Sequence, residues 1–299
     1  MKIIKGLAVL FVTLSLGSCF DPPEFPIVPQ IDYEDVVFKQ GNGTDSLILT
    51  LSFKDGDGDL GVDAAAPEFN NAPYNNLTFF QTDASDKTKL IPVNTVQQTV
   101  EHINKQGQRV TANLHLLQFE NLSAGQLVFP RTRKQPGYSY LPAYSCESYE
   151  WFRSAGYAIR EDQKAVLDKT AMVDTLFTRL NGVKVATHYV IRDTLYFQVN
   201  KNHYNIDIDF MVKEPSNPEA DEDGFIVYNW RKNWCQQDLD GRFPILTDKE
   251  GPLEGQLRYA MPTFGFKSIF TIKTLKLRVK IRDRALNESN TILTKEFTL

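Results

Sequence analysis

A two-residue alternation of apolar and charged side chains is the feature that most constrains how this chain can fold. In residues 274–283, TLKLRVKIRD, leucine, valine or isoleucine occupies every second position, with lysine or arginine between them. Successive side chains of a β-strand point to opposite faces, so the pattern predicts a strand with one buried and one solvated face. Residues 46–55, SLILTLSFKD, align with this segment and place Asp55 over Asp283. The alignment has two interpretations, a decayed internal repeat or two sandwich strands that both end at an aspartate.

Short strand-like runs separated by turn residues extend over most of the chain. They are rich in β-branched and aromatic side chains and are found at residues 31–38, 47–53, 77–82, 90–93, 110–119, 126–129, 185–191, 194–199, 206–212, 225–230, 269–272, 275–281 and 292–299. Residues 161–180 have the apolar spacing of an amphipathic helix. Together these patterns predict an all-β protein with at most one sizeable helix.

The predicted architecture consists of two immunoglobulin-like β-sandwich units. The first covers residues 31–180, including an aromatic-rich irregular segment, and the second covers residues 181–299. The alternative is one larger sandwich into which residues 130–184 are inserted. A chain of 299 residues can bury a full core in either arrangement.

The N-terminus has the pattern of a signal peptide. Two lysines precede an apolar run at residues 6–16, which is too short for a membrane-spanning helix. The following sequence, Leu16-Gly17-Ser18-Cys19, resembles the bacterial lipobox, in which the cysteine is acylated after cleavage. The resemblance implies a signal peptide at residues 1–18, a lipid anchor on Cys19 and a stiff proline-rich tether at residues 19–30. The alternative is an ordinary secretory signal with a cysteine there by chance.

Charge and cysteine content limit the partners and the compartment. Removal of residues 1–18 leaves 31 basic against 37 acidic side chains, which argues against nucleic acid as a partner. In an exported protein, the two remaining cysteines, Cys146 and Cys235, are expected to form a disulfide. The alternative is a pair of reduced, buried cysteines.

The acidic loop at residues 55–63, DGDGDLGVD, has the alternating oxygen donors of a calcium-binding turn. The expected ligands are the carboxylates of Asp55, Asp57, Asp59 and Asp63 and the carbonyl group of Gly61. Leu60 stands where such loops usually have glycine, and Ala66 stands where they have a bidentate glutamate. A solvated turn without an ion is therefore the alternative to a Ca²⁺ site.

Tyrosine and tryptophan side chains cluster in sequence around the two cysteines. Because these rings combine flat apolar faces with a polar edge, they suit a sugar ring, a peptide or a partner protein. The candidate ligand-binding residues are Tyr144, Tyr149, Trp151, Trp230 and Trp234. The alternative is that these rings form a core around the disulfide.

Recognised catalytic motifs are missing from the sequence. It has no G-x-S-x-G elbow, no P-loop and no dinucleotide fingerprint, and its four histidines lack metal-ligand spacing. We therefore expect a protein that is not an enzyme. A glycan-active hydrolase with carboxylates brought together by the fold is a less favoured reading.

Several segments together resemble a group of Bacteroidota outer-membrane lipoproteins of unassigned function. They are the lipobox, the tether PPEFP at residues 22–26, the acidic loop, DGRFP at residues 240–244 and DRALNESN at residues 283–290. The last segment is also similar to the closing hairpin of bacterial immunoglobulin-like domains, D-x-A-G-N-x-S, with Leu286 in place of glycine. Three Asp-Ser/Thr-apolar sequences look like the O-glycosylation sites of that phylum and imply glycans on Ser46, Thr175 and Thr194.

The resemblance implies an outer-membrane protein that is lipid-anchored on the periplasmic face or at the cell surface. We expect a non-catalytic binding or scaffolding role, as an accessory of a surface complex with an outer-membrane protein or glycan as partner. The alternative is a surface glycan-binding protein that uses the aromatic residues for nutrient capture.

Overall fold

The computed structural model describes residues 24–41, 43–119, 122, 125–145, 150–153, 156–234 and 239–299. Strands make up 44% of the chain and helical turns 12%, which confirms the predicted all-β class. No helix in these ranges is longer than six residues. None is long and apolar enough to cross a bilayer. The predicted signal peptide and Cys19 lie outside the described residues.

The described strands fall into three sheets. They are β1 (Gln30–Lys39), β2 (Ser46–Asp55), β3 (Leu77–Thr82), β4 (Leu90–Ile103), β5 (Arg109–Gln118), β6 (Glu150–Arg153), β7 (Tyr157–Arg160), β8 (Val173–Leu180), β9 (Val183–Ile191), β10 (Thr194–Val199), β11 (Ile206–Lys213), β12 (Phe225–Val227), β13 (Leu253–Pro262), β14 (Leu275–Ile281) and β15 (Ile292–Leu293). Two short α-helices, α1 (Trp230–Trp234) and α2 (Lys267–Phe270), accompany them. One-turn 3-10 helices occur at Pro67–Asn70, Pro130–Lys134, Glu161–Val166, Lys201–His203 and Thr263–Gly265.

A β-sandwich is built from the two ends of the chain. A three-stranded sheet, β1-β2-β13, and a four-stranded sheet, β12-β11-β14-β15, share one apolar core. The alternating side chains of β2 and β14 supply much of that core, and Leu49 and Leu277 are both fully buried in it. The two alternating segments are therefore strands on opposite sheets of one sandwich.

The chain between these two ends forms a second unit, which we call the inserted unit (residues 64–204). Its eight strands form a sheet in the order β6-β10-β3-β4-β5-β7-β9-β8, with separate apolar clusters. This grouping differs from the predicted division at residue 180, because β2 pairs with β13 over ten residues. Side-chain alternation identifies strands but does not say which strands pair. The arrangement resembles the alternative of one sandwich with an inserted segment, but the inserted unit covers residues 64–204 and not only residues 130–184.

The helix expected at residues 161–180 is wrong. Its first part is the 3-10 turn Glu161–Val166, and its last part is β8, which pairs antiparallel with β9. The hairpin turns at Asn181 and Gly182, both at positive φ. An Asn-Gly pair favours a two-residue β-hairpin turn. This preference prevails over the weak helical spacing of the apolar residues in 161–180.

Candidate metal site

The acidic loop after β2 is held in place by backbone contacts that require glycine. Gly58 and Gly61 have φ values of +73° and +92°, and a Cβ on Gly61 would lie 2.2 Å from the Pro244 carbonyl oxygen. The Val62 amide, next to Gly61, donates to the carbonyl oxygen of Phe243, next to Pro244, at 3.1 Å. The loop is therefore packed tightly against residues 243–251 and does not project freely into solvent.

Three aspartates of this loop converge at the end of β2. One carboxylate oxygen from each of Asp55, Asp57 and Asp59 lies within 4.8 Å of the others. Each residue also has an Oδ1 atom that is shielded from solvent and has no hydrogen-bond partner among the described residues. Asp55 is 0% exposed, and its other oxygen accepts the Asp59 amide at 3.0 Å. We call these three residues the acidic corner.

A fourth aspartate, Asp283, lies beside the acidic corner. It follows β14 and is 2% exposed. The loop that carries it bonds directly to Asp59, whose carbonyl oxygen accepts the Arg284 amide at 3.2 Å and whose Oδ2 accepts the Ala285 amide at 3.0 Å. The sequence did not identify Asp283 as a site residue, although the alignment of β2 with β14 placed it opposite Asp55.

Burial and mutual repulsion raise the pKa values of these carboxyl groups. Burial, with the charges of Asp57, Asp59 and Asp283, raises the pKa of Asp55 to about 7. The pKa of Asp59 and that of Asp283 are also raised, mainly by burial and then in part by neighbouring aspartates. Ionised carboxylates in such a position are costly unless a cation balances them. A hard divalent cation with oxygen ligands fits this donor set.

The carboxylate of Asp63, one of the predicted ligands, is not among those that converge at the acidic corner. Asp63 is exposed, and its carboxylate accepts the Ala65 amide at 2.9 Å. Val62, between Gly61 and Asp63, is buried. The Gly61 carbonyl group accepts a long 3.4 Å contact from Nη1 of Arg284. Of the four predicted carboxylates, the structure therefore brings together those of Asp55, Asp57 and Asp59.

The described members of the aromatic set do not form one surface. Trp230 is 2% exposed, and its ring is packed edge-on against Phe210, Tyr228 and Phe270 in the sandwich core. It cannot stack on a ligand, because neighbouring rings cover it. Trp234 is 55% exposed and donates its indole N–H to the Tyr228 hydroxyl at 2.7 Å.

The other aromatic and cysteine predictions have different outcomes. Tyr144 is 68% exposed. Tyr149, Cys146 and Cys235 lie outside the described residues, as does the side chain of Trp151. The disulfide therefore stays a prediction.

The three residues expected to carry glycans are half-buried in strands, Ser46 in β2, Thr175 in β8 and Thr194 in β10. The aspartate before each one forms an ion pair, and the pairs are Asp45 with Lys267 at 2.7 Å, Asp174 with Arg192 at 2.8 Å and Asp193 with Arg131 at 2.9 Å. These motifs thus have a structural use, and glycosylation stays a prediction.

Comparison of the chain with protein-family models, with curated proteins and with solved structures found no match. The fold and the acidic corner define a β-sandwich with a candidate divalent-metal site at one end.

Proposed function

We propose that the protein is a lipid-anchored, non-catalytic binding or scaffolding protein of the outer membrane, and that Ca²⁺ at the acidic corner stabilises its sandwich. One observation carries the metal proposal. Three aspartates converge at the end of β2, and each has a buried oxygen without a hydrogen-bond partner among the described residues. Leaving such oxygens unpaired costs folding free energy, which a bound cation would recover.

Calcium suits the acidic corner better than the other common divalent ions. All the donors there are oxygen atoms, whereas zinc sites in proteins usually include nitrogen or sulfur ligands. Magnesium holds its waters firmly and is usually bound through one or two carboxylates. A cluster of three or more carboxylates on a tight loop favours Ca²⁺, which accepts six to eight oxygen ligands.

The position of the acidic corner supports a structural role. A Cβ on Gly56, between Asp55 and Asp57, would lie 2.5 Å from the Phe25 carbonyl oxygen, so the loop packs directly against the tether. The Lys54 ammonium also lies 5.6 Å from the centre of the Phe25 ring. A Ca²⁺ ion there would stiffen the end of the sandwich where the tether arrives. A rigid junction suits a protein that presents a binding surface at a fixed distance from the membrane.

Calorimetric titration of the chelator-treated protein tests the metal proposal. We expect Ca²⁺ to bind with a stoichiometry near one and to raise the melting temperature, whereas Mg²⁺ at the same concentration has a smaller effect. Absence of both binding heat and a melting shift would exclude a calcium site.

Fractionation of cells tests the anchor. We expect the wild-type protein in the outer-membrane fraction and the Cys19→Ala variant in the soluble periplasmic fraction, because the variant lacks the acyl chains. An unchanged distribution would contradict lipidation at Cys19. In a mild-detergent pull-down, stoichiometric outer-membrane proteins would support scaffolding, whereas their absence together with a positive glycan array would favour nutrient capture.

A further inference from the structure

We propose that Asp283 supplies a fourth carboxylate to the calcium ion of the acidic corner, so that the ion joins the loop after β2 to the loop after β14. This inference rests on the proposed calcium site and adds a ligand from a remote part of the chain. It also implies that calcium controls how firmly the first residues of the inserted unit are held.

The loop that carries Asp283 is bonded directly to the acidic corner. Two backbone amides, those of Arg284 and Ala285, donate to the carbonyl oxygen and the carboxylate of Asp59. The Ala285 contact joins residues 226 positions apart in sequence. These bonds hold the segment that follows Asp283 against the acidic corner, and Asp283 itself is buried there.

Two hydrogen bonds from Asn287 orient the Asp283 carboxylate. The Asn287 amide donates to Oδ1 at 2.7 Å, and the Asn287 side chain donates to Oδ2 at 2.8 Å. A carboxylate has about four lone-pair sites, so each oxygen still has capacity for a cation. The turn that allows this contact includes Leu286 at φ +69°, where the similar immunoglobulin-like segments have glycine.

The negative charges of these aspartates are not balanced by ion pairs within the described ranges. None of the ion pairs between described residues involves Asp55, Asp57, Asp59 or Asp283. Arg284 carries a positive charge close to Asp59, and it directs Nη1 toward the Gly61 carbonyl oxygen. The three converging carboxylates, with the buried Asp283 beside them and one adjacent guanidinium, leave an excess of negative charge. A divalent cation would balance that excess.

Hydrogen bonds link the Asp283 loop to the inserted unit. The Tyr74 hydroxyl donates to the carbonyl oxygen of Arg284, next to Asp283. The Tyr74 carbonyl oxygen lies 2.9 Å from Nδ1 of His203, and the Asn200 side chain donates to the Pro73 carbonyl oxygen at 2.6 Å. The segments by which the chain enters and leaves the inserted unit thus meet at the Asp283 loop. An ion that orders this loop would also order both segments.

Calcium titration of matched variants tests the inference. We expect Asp283→Asn to weaken Ca²⁺ binding at least about tenfold, because one charged ligand is lost. The matched control is Asp63→Asn, which removes an exposed aspartate near the same loop and should leave the affinity within about twofold of wild type. If wild type binds no Ca²⁺, the proposed function fails. If wild type and both variants bind equally well, the site stands with three aspartates and the role of Asp283 is overturned.

Hydrogen exchange of the wild-type protein gives a result that does not depend on folding of a variant. We expect Ca²⁺ to slow exchange at the amides of residues 55–59, 284–287 and 74 together. Protection at residues 55–59 without protection at residues 284–287 would contradict the inference even if Asp283→Asn did not fold.

Discussion

Asp55 shows at the residue scale why the acidic corner is better explained by a ligand than by a turn. A solvated Asp-Gly turn would leave its carboxylate in water, whereas Asp55 is fully buried with one oxygen unpaired among the described residues. Burial and the neighbouring aspartates raise its pKa to about 7, so the ionised form is disfavoured at this position. On the calcium proposal, Asp55 would lower the stability of the metal-free protein and raise the stability of the metal-bound protein.

Replacing Asp55 with asparagine should have opposite effects in the two states. In chelator at pH 8, we expect Asp55→Asn to be more stable than wild type by on the order of 1 kcal/mol, because a buried repelling charge is removed. With saturating Ca²⁺, the order should reverse. Urea denaturation with and without Ca²⁺ measures the free energy of unfolding in the two states. The control is Asp209→Asn, which alters an exposed ion pair with Arg278. A variant less stable than wild type in chelator would contradict the account.

Glu288 provides a pH-dependent prediction outside the metal site. Hydrogen bonds from Arg282 and Lys280 hold the pKa of Glu288 at about 2, against 4.5 ordinarily. Because the folded-state pKa is the lower one, the stabilisation is complete above about pH 4.5 and is lost as the pH falls toward 2.

We expect Glu288→Gln to reduce the free energy of unfolding at pH 7 by on the order of 1 kcal/mol, allowing for the partial exposure of the side chain. Urea denaturation should show this difference shrinking between pH 4.5 and pH 3. Glu296→Gln, which alters an exposed pair with Lys213, should have little effect at either pH. A constant wild-type to Glu288→Gln difference over this range would exclude the interpretation.

At the scale of the element, the sequence predicted some strands and their buried faces, but not which strands pair. The alternation in β2 and β14 identified both strands and their buried faces, because that pattern is local. The same reasoning failed at residues 161–180, where the Asn181-Gly182 turn and pairing with β9 outweighed a helical stripe. Strand partners could not be derived, because pairing of β2 with β13 depends on contacts about 200 residues apart in sequence.

The sequence predicted the candidate site to the extent that its residues are close in sequence. Asp55, Asp57 and Asp59 lie in one loop, so their alternating spacing indicated that their carboxylates could converge. Asp63 lies in the same loop, but it is exposed and is not among the converging carboxylates. Asp283 is brought in by the fold, so the only sequence signal was the alignment of two strands that both end at an aspartate.

The tight approach at Gly61 predicts a large effect of a single methyl group. We expect Gly61→Ala to reduce the free energy of unfolding by more than about 2 kcal/mol, because the residue combines positive φ with a clash at Pro244. Gly251→Ala, also at positive φ but with nothing within 4 Å of the added carbon, should cost about 1 kcal/mol. Equal losses in urea denaturation would show that the close approach is not a constraint.

At the scale of the whole molecule, hydrogen bonds join the N-terminal and C-terminal parts of the chain. Asn290 exchanges two 2.8 Å hydrogen bonds with the backbone of Ile31, at the start of β1. The sandwich core draws on residues 31–60 and 206–281. The predicted tether, the acidic corner and both connections to the inserted unit meet at the same end of this sandwich.

A fragment covering residues 181–299 should therefore fail to fold alone. It lacks β1 and β2, and β2 is the central strand of the three-stranded sheet. We expect no cooperative thermal transition by circular dichroism, whereas residues 24–299 should show one. A cooperatively folded fragment would contradict the grouping of strands and restore the predicted division at residue 180.

We propose that one calcium ion, at one end of the sandwich, joins the loop after β2 to the loop after β14. A crystal structure of residues 24–299 grown with Ca²⁺ tests it most directly, through the anomalous signal of the metal. The account predicts a single peak at about 2.3–2.6 Å from carboxylate oxygens of Asp55, Asp57, Asp59 and Asp283. A well-ordered corner with only water between these carboxylates would contradict it.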